Sequence, residues 1–240
     1  MKKYPIITKN SNLNDLLLME GFIILIDKED EWTSFDVVKK LRGALRVKKV
    51  GHAGTLDPFA TGLLVILFGK ATKTADLYSS QNKTYHCIVK LGSQTNSFDR
   101  TGEITNTSDE IPDKDKITEV VNSFIGPQEQ LPPMFSAIKV NGKRLYKSAR
   151  EGIEVERKPR KITINSIDII NIENDTVEMV VDCTKGTYVR SLADDIGTKL
   201  GCYGHLQELR RTKSGDFKIE DAFTVTELLD KVREDRHSDS

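Results

Sequence analysis

Cysteine is scarce in this 240-residue chain, and Cys87, Cys183 and Cys202 are odd in number and far apart. They offer neither a disulfide framework nor a CxxC half-site, so a reduced, cytoplasmic setting is expected. The four histidines, His52, His86, His205 and His237, are scattered without ligand spacing, and no metal site is expected. Long hydrophobic runs are missing too. Nothing approaches the ~20 apolar residues of a membrane span, and Met1-Lys2-Lys3-Tyr4-Pro5 lacks the apolar stretch of a signal peptide. There is no GxxxxGK[ST] loop, no GxGxxG after a strand, no HExxH and no GxSxG. Chemistry without a metal, nucleotide or redox cofactor is therefore the expectation.

An excess of one charge is absent as well, since 36 basic side chains balance 36 acidic ones. The distribution is less even. Lys39, Lys40, Arg42, Arg46, Lys48 and Lys49 form one basic cluster. Lys139, Lys143, Arg144, Lys147 and Arg150 form a second, extended by Arg157, Lys158, Arg160 and Lys161. One such run is usually a solvated face, but two in a neutral chain favour a polyanionic partner. With 38% hydrophobic residues, the chain can bury a real core in one large domain or two small ones.

Residues 1–20 form a polar extension with a weak helical pattern at Leu13 to Met19. Phe22 to Ile26 and Leu63 to Phe68 read as buried strands. Between them, Thr33 or Ser34 caps a helix with an apolar stripe of Phe35, Val38, Leu41 and Leu45. Lys39, Arg42 and Arg46 lie on another side of that helix. Thr84 to Leu91 alternates as a strand, with Tyr85, Cys87, Val89 and Leu91 on one face. Ile117, Val120, Val121 and Phe124 have helical spacing ended by Gly126-Pro127, and Asn141-Gly142 marks a tight hairpin. Ile162 to Ile172 and Val177 to Cys183 read as neighbouring strands. A helix from Tyr188 to Leu200 closes at Gly201, a strand lies near His205 to Arg211, and Thr224 with Glu227 opens a last helix. Mixed rather than alternating order predicts an α+β fold with a large mixed sheet.

The densest local pattern is Gly51-His52-Ala53-Gly54-Thr55-Leu56-Asp57-Pro58-Phe59-Ala60-Thr61-Gly62. It sets one carboxylate in a loop of glycines and a proline, where Asp57 is a nucleophile, a general base or a simple turn former. Arg190, in the first turn of its helix, is either a solvated surface group or the cation that keeps an acid ionised. Tyr85 reads as a core tyrosine, an aromatic platform for a base, or a phenol placed for proton transfer. His52 reads as a hydrogen-bonded turn residue or a site residue.

The same segment resembles the catalytic-aspartate motif of the TruB family of tRNA pseudouridine synthases. Further resemblances follow in order: Lys83-Thr84-Tyr85 with Leu91-Gly92, Leu131-Pro132-Pro133-Met134-Phe135-Ser136-Ala137-Ile138-Lys139, Lys185-Gly186-Thr187-Tyr188-Val189-Arg190-Ser191-Leu192 with Asp195, and Leu209-Arg210-Arg211. The resemblance covers roughly residues 21 to 215. It implies a pseudouridine synthase fold, an α+β fold with a large mixed, mostly antiparallel sheet flanked by helices and loops, and a cofactor-free isomerase that converts uridine 55 of the tRNA T-loop to pseudouridine. Asp57 then matches the catalytic aspartate, with attack on the ribose C1′, on uracil C6 or through a glycal left open. Tyr85 matches the tyrosine that stacks on the target base, and Arg190 the arginine paired with the aspartate. Tyr188 and Leu209 match pocket residues, and His52 a histidine that displaces flipped nucleotides. Gly54, Thr55, Leu56 and Lys139 fall in substrate-binding segments.

Residues 21–235 are expected to form the catalytic domain, with 131–160 as an insertion closing on RNA and 236–240 as a tail. Many family members carry a further C-terminal RNA-binding domain; this chain departs from that pattern and is expected to be a short form, a monomer acting on the T-arm stem-loop of tRNA. In Gln94-Thr95-Asn96-Ser97-Phe98-Asp99, less acidic than the family pattern, Asp99 is the residue that carries over. A related isomerase with another uridine target, and a non-catalytic tRNA chaperone, are the alternatives.

Overall fold

The computed structural model describes residues 3–11, 13, 19–135, 139–140, 143–144 and 155–238. In chain order the elements are β1 (Ile6–Ile7), β2 (Gly21–Lys28), α1 (Ser34–Leu45), β3 (Val50–Ala53), β4 (Thr61–Gly69), α2 (Ala75–Ser79) and β5 (Lys83–Leu91). They continue as β6 (Ser93–Thr95), β7 (Ile104–Thr107), α3 (Lys114–Asn122), β8 (Gly126–Gln130), β9 (Lys139–Val140), β10 (Lys143–Arg144), β11 (Arg160–Glu173) and β12 (Thr176–Cys183). The last are α4 (Val189–Leu200), β13 (Gly204–Ser214), β14 (Phe217–Lys218), β15 (Phe223–Thr224) and α5 (Val225–Ser238). The chain forms two compact units, Met1–Tyr85 with Arg210–Ser240, and His86–Leu209.

In the first unit β2 and β4 pair antiparallel along their whole length, from Gly21 opposite Gly69 to Lys28 opposite Gly62. Neither alternates in polarity, because both faces are covered: Phe22 to Ile26 and Leu63 to Phe68 are all buried, and the Phe22 and Phe68 rings stack at 4.6 Å. The other edge of β4 is shared. β3 takes Val65 to Phe68 in antiparallel register, and β13 takes Thr61 and Gly62 in parallel register. The loop between β3 and β4 leaves the sheet where one neighbour gives way to the other.

That pairing corrects one expectation. Gly51 to Ala53 belongs to strand β3, with His52 opposite Ile66, so the glycine loop shrinks to residues 54–60. The N-terminal extension also gains structure, since Ile6 and Ile7 add a parallel strand beside Ile23 and Ile24, while most of the helical pattern at 13–19 lies outside the described residues.

Helix α1 begins where the sequence placed it. Thr33 is the cap, in a capping box completed by Asp36, and Arg46 ends the helix in the left-handed conformation. The buried stripe is Ser34, Val37, Val38, Leu41 and Leu45, not one that includes Phe35. Capping at Thr33 sets that stripe at i, i+3, i+4, i+7 and i+11, about 100° of helix rotation away from Phe35. Phe35 is 60% exposed.

In the second unit the strand order runs β13, β5, β12, β11, β8. β11 pairs antiparallel with β12 and with the edge strand β8, whose Pro127 is tolerated at that position. Burial alternates along β12, with Val177, Met179, Val181 and Cys183 inside, and along β5, where Tyr85, Cys87, Val89 and Leu91 are buried. Ile117, Val120 and Val121 of α3, and Val189, Leu192, Ala193 and Ile196 of α4, are buried with them, whereas Phe124 falls beyond the end of α3. Lys139 and Val140 pair with Arg144 and Lys143, as a hairpin with two connecting residues requires; residues 141 and 142 themselves lie outside the described residues. Thr224 and Glu227 form the expected reciprocal cap at the start of α5.

Candidate active site

Asp57 sits midway along the β3–β4 loop, half-buried, between two residues whose backbones are fixed. On one side is Leu56. The buried hydroxyl of Ser34, at the start of α1, donates to Leu56 O (3.1 Å) and accepts from Leu56 N–H (2.9 Å), so one side chain satisfies both backbone groups. On the other side is Pro58, whose carbonyl accepts from Lys28 Nζ at 3.0 Å. Lys28 closes β2, is 0% exposed, and also donates to Glu29 O (2.8 Å) and Trp32 O (2.6 Å). Leu56, Phe59 and Ala60 bury their side chains beneath the loop, while Thr55 and Pro58 face solvent. A turn bond from Ala60 N–H to Asp57 O (3.1 Å) completes it. The acid is thus presented on a braced loop rather than a loose one.

A second buried cation spans the loop. Arg211, 1% exposed, donates through Nε to Leu63 O (2.7 Å) and through Nη2 to Gly54 O (3.0 Å), the two ends of the segment carrying Asp57. Two glycines make this possible. Gly54 has φ 81°, and a Cβ there would lie 3.4 Å from Arg211 Nη1. Gly62 has φ 102°, and a Cβ there would lie 2.4 Å from Arg211 O, so only glycine admits β13 at this distance.

These cations set the local titration. Burial and, to a smaller extent, Arg211 lower the pKa of Lys28 to about 8, against the opposing pull of Asp30 and Asp57. Burial and then Arg211 lower that of His52, which keeps the imidazole neutral near pH 7. His52 is half-buried, and its Nδ1 is buried without a hydrogen-bond partner among the described residues. Tyr85, the last residue of this unit's first segment, is buried on the inward face of β5.

Arg190, Tyr188 and Leu209 belong to the second unit. Arg190 is not the solvated group that its place in a first helical turn suggests, being 3% exposed. Its guanidinium pairs with Asp99 (3.3 Å) and donates to Ser97 O (3.0 Å) and Phe135 O (2.7 Å). The carboxylate offsets a cation set against the helix macrodipole. Asp99 in turn accepts from Ser97 Oγ (2.8 Å), Thr101 N–H (3.0 Å) and Thr101 Oγ1 (2.6 Å). Tyr188, the cap of α4, is gripped by Gln130: its N–H donates to Gln130 Oε1 (2.8 Å), and Gln130 Nε2 donates to its carbonyl (3.0 Å). Ser191 Oγ donates to Leu131 O (2.9 Å), so the Leu131 to Phe135 segment is fastened to the start of α4. Leu209 is buried in β13. Lys139 lies in β9, and residues 136–138 lie outside the described residues.

Lys28, Ser34, Arg211 and Gln130 were not among the residues that the sequence singled out for the site. Arg211 stood in a recognised motif without a role, and Ser34 counted only as a possible cap. Lys28 had one signal, a lysine closing an uninterrupted apolar strand. Among the described residues, no group of three or more His, Cys, Asp or Glu side chains is arranged to hold a metal, and no helix is long and apolar enough to cross a membrane.

Comparison with known proteins finds two family models along the chain. The model of the TruB family pseudouridylate synthase N-terminal domain matches residues 42–189, and that of the tRNA pseudouridylate synthase B C-terminal domain matches residues 190–240. The tRNA pseudouridine synthase B of Clostridium kluyveri is 51% identical over 212 residues, covering 88% of this chain and 73% of its own. That of Dechloromonas aromatica is 47% identical, covering 86% and 69%. A Cbf5-Nop10-Gar1 complex contains a chain 31% identical, with a TM-score of 0.72 over 93% of this chain. An H/ACA RNP bound to a substrate RNA containing 2′-deoxyuridine contains one 26% identical, with a TM-score of 0.72 over 100%. This chain spans 58% and 62% of those two structural relatives. The likeness extends to their α+β fold, and the chain belongs to the TruB family of pseudouridylate synthases.

Proposed function

We propose that this protein is a tRNA pseudouridine synthase that isomerises uridine 55 in the T-loop, with Asp57 as the catalytic nucleophile. The N1–C1′ bond of the uridine breaks, a C5–C1′ bond forms, the C5 proton leaves to solvent and the freed N1 takes one up. Nothing is oxidised or reduced, so residues that hold the base and one ionised acid suffice. A base within a folded loop must be extruded to react, at a cost of a few kcal/mol offset by stacking on aromatic groups. Tyr85 is the stacking partner in this reading, Arg190 keeps the aspartate ionised, and His52, Tyr188 and Leu209 contact the flipped nucleotide. Gly54, Thr55 and Leu56 let the RNA backbone approach, and the basic segment with Lys139 contacts phosphates.

The observation that carries the reading is the bracing of Asp57, in a TruB family chain, by Ser34 on Leu56 and Lys28 on Pro58. Such bracing holds a reacting group in position before substrate arrives, which is worth far more to catalysis than to a turn. Asp57→Asn is expected to bind a T-arm stem-loop and to release no tritium from 5-tritiated uridine at position 55. Product from that variant would remove Asp57 from the chemistry. Release only at another uridine of the RNA would leave the chemistry standing and overturn the T-loop assignment.

A further inference from the structure

Phe35 is a large aromatic side chain with its ring in water, one residue from the serine that pins the Asp57 loop. Three exposed cations follow it, Lys39, Arg42 and Arg46, at intervals of four, three and four residues. That spacing places all four on one face of α1, away from the buried stripe. Neighbours at such intervals are about 5–6 Å apart, and the line runs ~16 Å along the helix. Arg46 is fixed at the far end by the left-handed cap, with its N–H on Gly43 O. Among the described residues none of the three cations is in an ion pair. Asp36 on the same helix feels Lys39 only through its charge and is hydrogen-bonded to Thr33, and the acidic run Glu29-Asp30-Glu31 precedes the cap, at the aromatic end.

The order along the helix carries chemical information. An aromatic ring comes first, one residue from the serine that pins the loop bearing the acid, and positive charge begins only beyond it. A polyanion alone needs no aromatic head, and an apolar partner needs no cations. A nucleic-acid strand needs both, because bases stack on aromatic rings while phosphates meet Lys and Arg. We infer that the exposed face of α1 is a docking track for the RNA strand adjoining the target uridine, with Phe35 under a base and Lys39, Arg42 and Arg46 on successive phosphates. The inference rests on the reading that the substrate is RNA.

The test uses the full chain and a T-arm stem-loop, with binding measured against salt concentration. The triple variant K39Q/R42Q/R46Q is expected to flatten the dependence of log K on log[salt] by about 2, one phosphate per cation at the single-strand value. R42K/R46K keeps the charges and is expected to keep the slope. F35A is expected to weaken binding about 5- to 100-fold with the slope unchanged. All four side chains are exposed, so thermal unfolding is expected to match the wild type and exclude misfolding. Wild-type slope and affinity in both the triple variant and F35A would overturn the track. Loss of slope with no effect of F35A would overturn the stacking and reduce the face to an electrostatic one. If the wild type forms no pseudouridine in any RNA, the proposed function fails. If it does and the variants bind normally, only the track fails.

Discussion

Arg211 in the first unit and Arg190 in the second are both almost fully buried, yet they are accommodated differently. Arg190 meets the Asp99 carboxylate at 3.3 Å, with two carbonyls beside it. Arg211 is held by the carbonyls of Leu63 and Gly54. A carboxylate offsets part of the charge of the cation and is itself ordered, here within the Ser97–Thr101 turn. Carbonyls supply dipoles and leave the unit charge in place, so its field persists into the neighbourhood. That persistence is visible in Lys28 and His52, both shifted downward by Arg211 after burial. One arginine orders a carboxylate; the other staples a loop and charges its surroundings.

The sharpest way to break this contrast is to remove the carboxylate. Asp99→Asn removes the carboxylate beside the buried Arg190 guanidinium, a charged acceptor for the Ser97 and Thr101 donors as well, and is expected to cost about 3–5 kcal/mol in chemical denaturation. Asp99→Asn/Arg190→Met together is expected to cost less than the two single changes summed, because each single change already loses the interaction between them. Additive costs would mean that the two side chains do not act as a pair.

Arg211→Met should cost about 2–3 kcal/mol, since two buried carbonyls lose their donors while no charge is stranded. Its larger effect is expected on pseudouridine formation at saturating RNA, a fall on the order of 100-fold as the ends of the Asp57 loop drift apart. Arg211→Lys keeps the charge but not the fork that reaches both carbonyls, and should lie between. A lysine variant as fast as the wild type would show that the charge, not the staple, matters. Ser34→Ala is expected to cost about 1–2 kcal/mol, because Leu56 N–H and C=O lose their shared partner. Stability unchanged in that variant would mean that water replaces the hydroxyl.

The same contrast explains which parts of the molecule were legible in its sequence. Local chemistry announced α1, α4 and α5, because Thr33, Gly201 and Thr224 with Glu227 carry their own capping instructions. Period-two burial announced β5 and β12. Asp57 and Arg190 were found through motifs. Their supports were not, because a buried Lys28 or Arg211 violates the expectation that charge is exposed until its partners are known. Those partners are remote in the chain: Gly54 lies 157 positions from Arg211, and Pro58 lies 30 from Lys28. Phe35 failed in the other direction, as an apolar residue assigned to a stripe whose phase the cap had set differently. Gly51 to Ala53 looked like loop because its strand character comes from pairing with β4.

The smallest effect separates the two arginines most cleanly. Lys28 titrates at about 8 in the folded protein against 10.5 for the unfolded chain, chiefly through burial. Between those values the unfolded chain holds a proton that the folded protein has lost, so the contribution of Lys28 to stability rises with pH across that window. Below pH 8 both forms are protonated, and the full penalty of burying the charge is present. The slope has a ceiling of about 1.4 kcal/mol per pH unit, and other groups titrate in the same range, so the quantity to measure is wild type minus Lys28→Met between pH 7 and 10. That difference is expected to rise with pH. A flat difference would place the ammonium in a solvated site and remove the field ascribed to Arg211. In an Arg211→Met background the rise should begin at higher pH, because one of the influences lowering Lys28 is gone, whereas Asp99→Asn should leave it where it is.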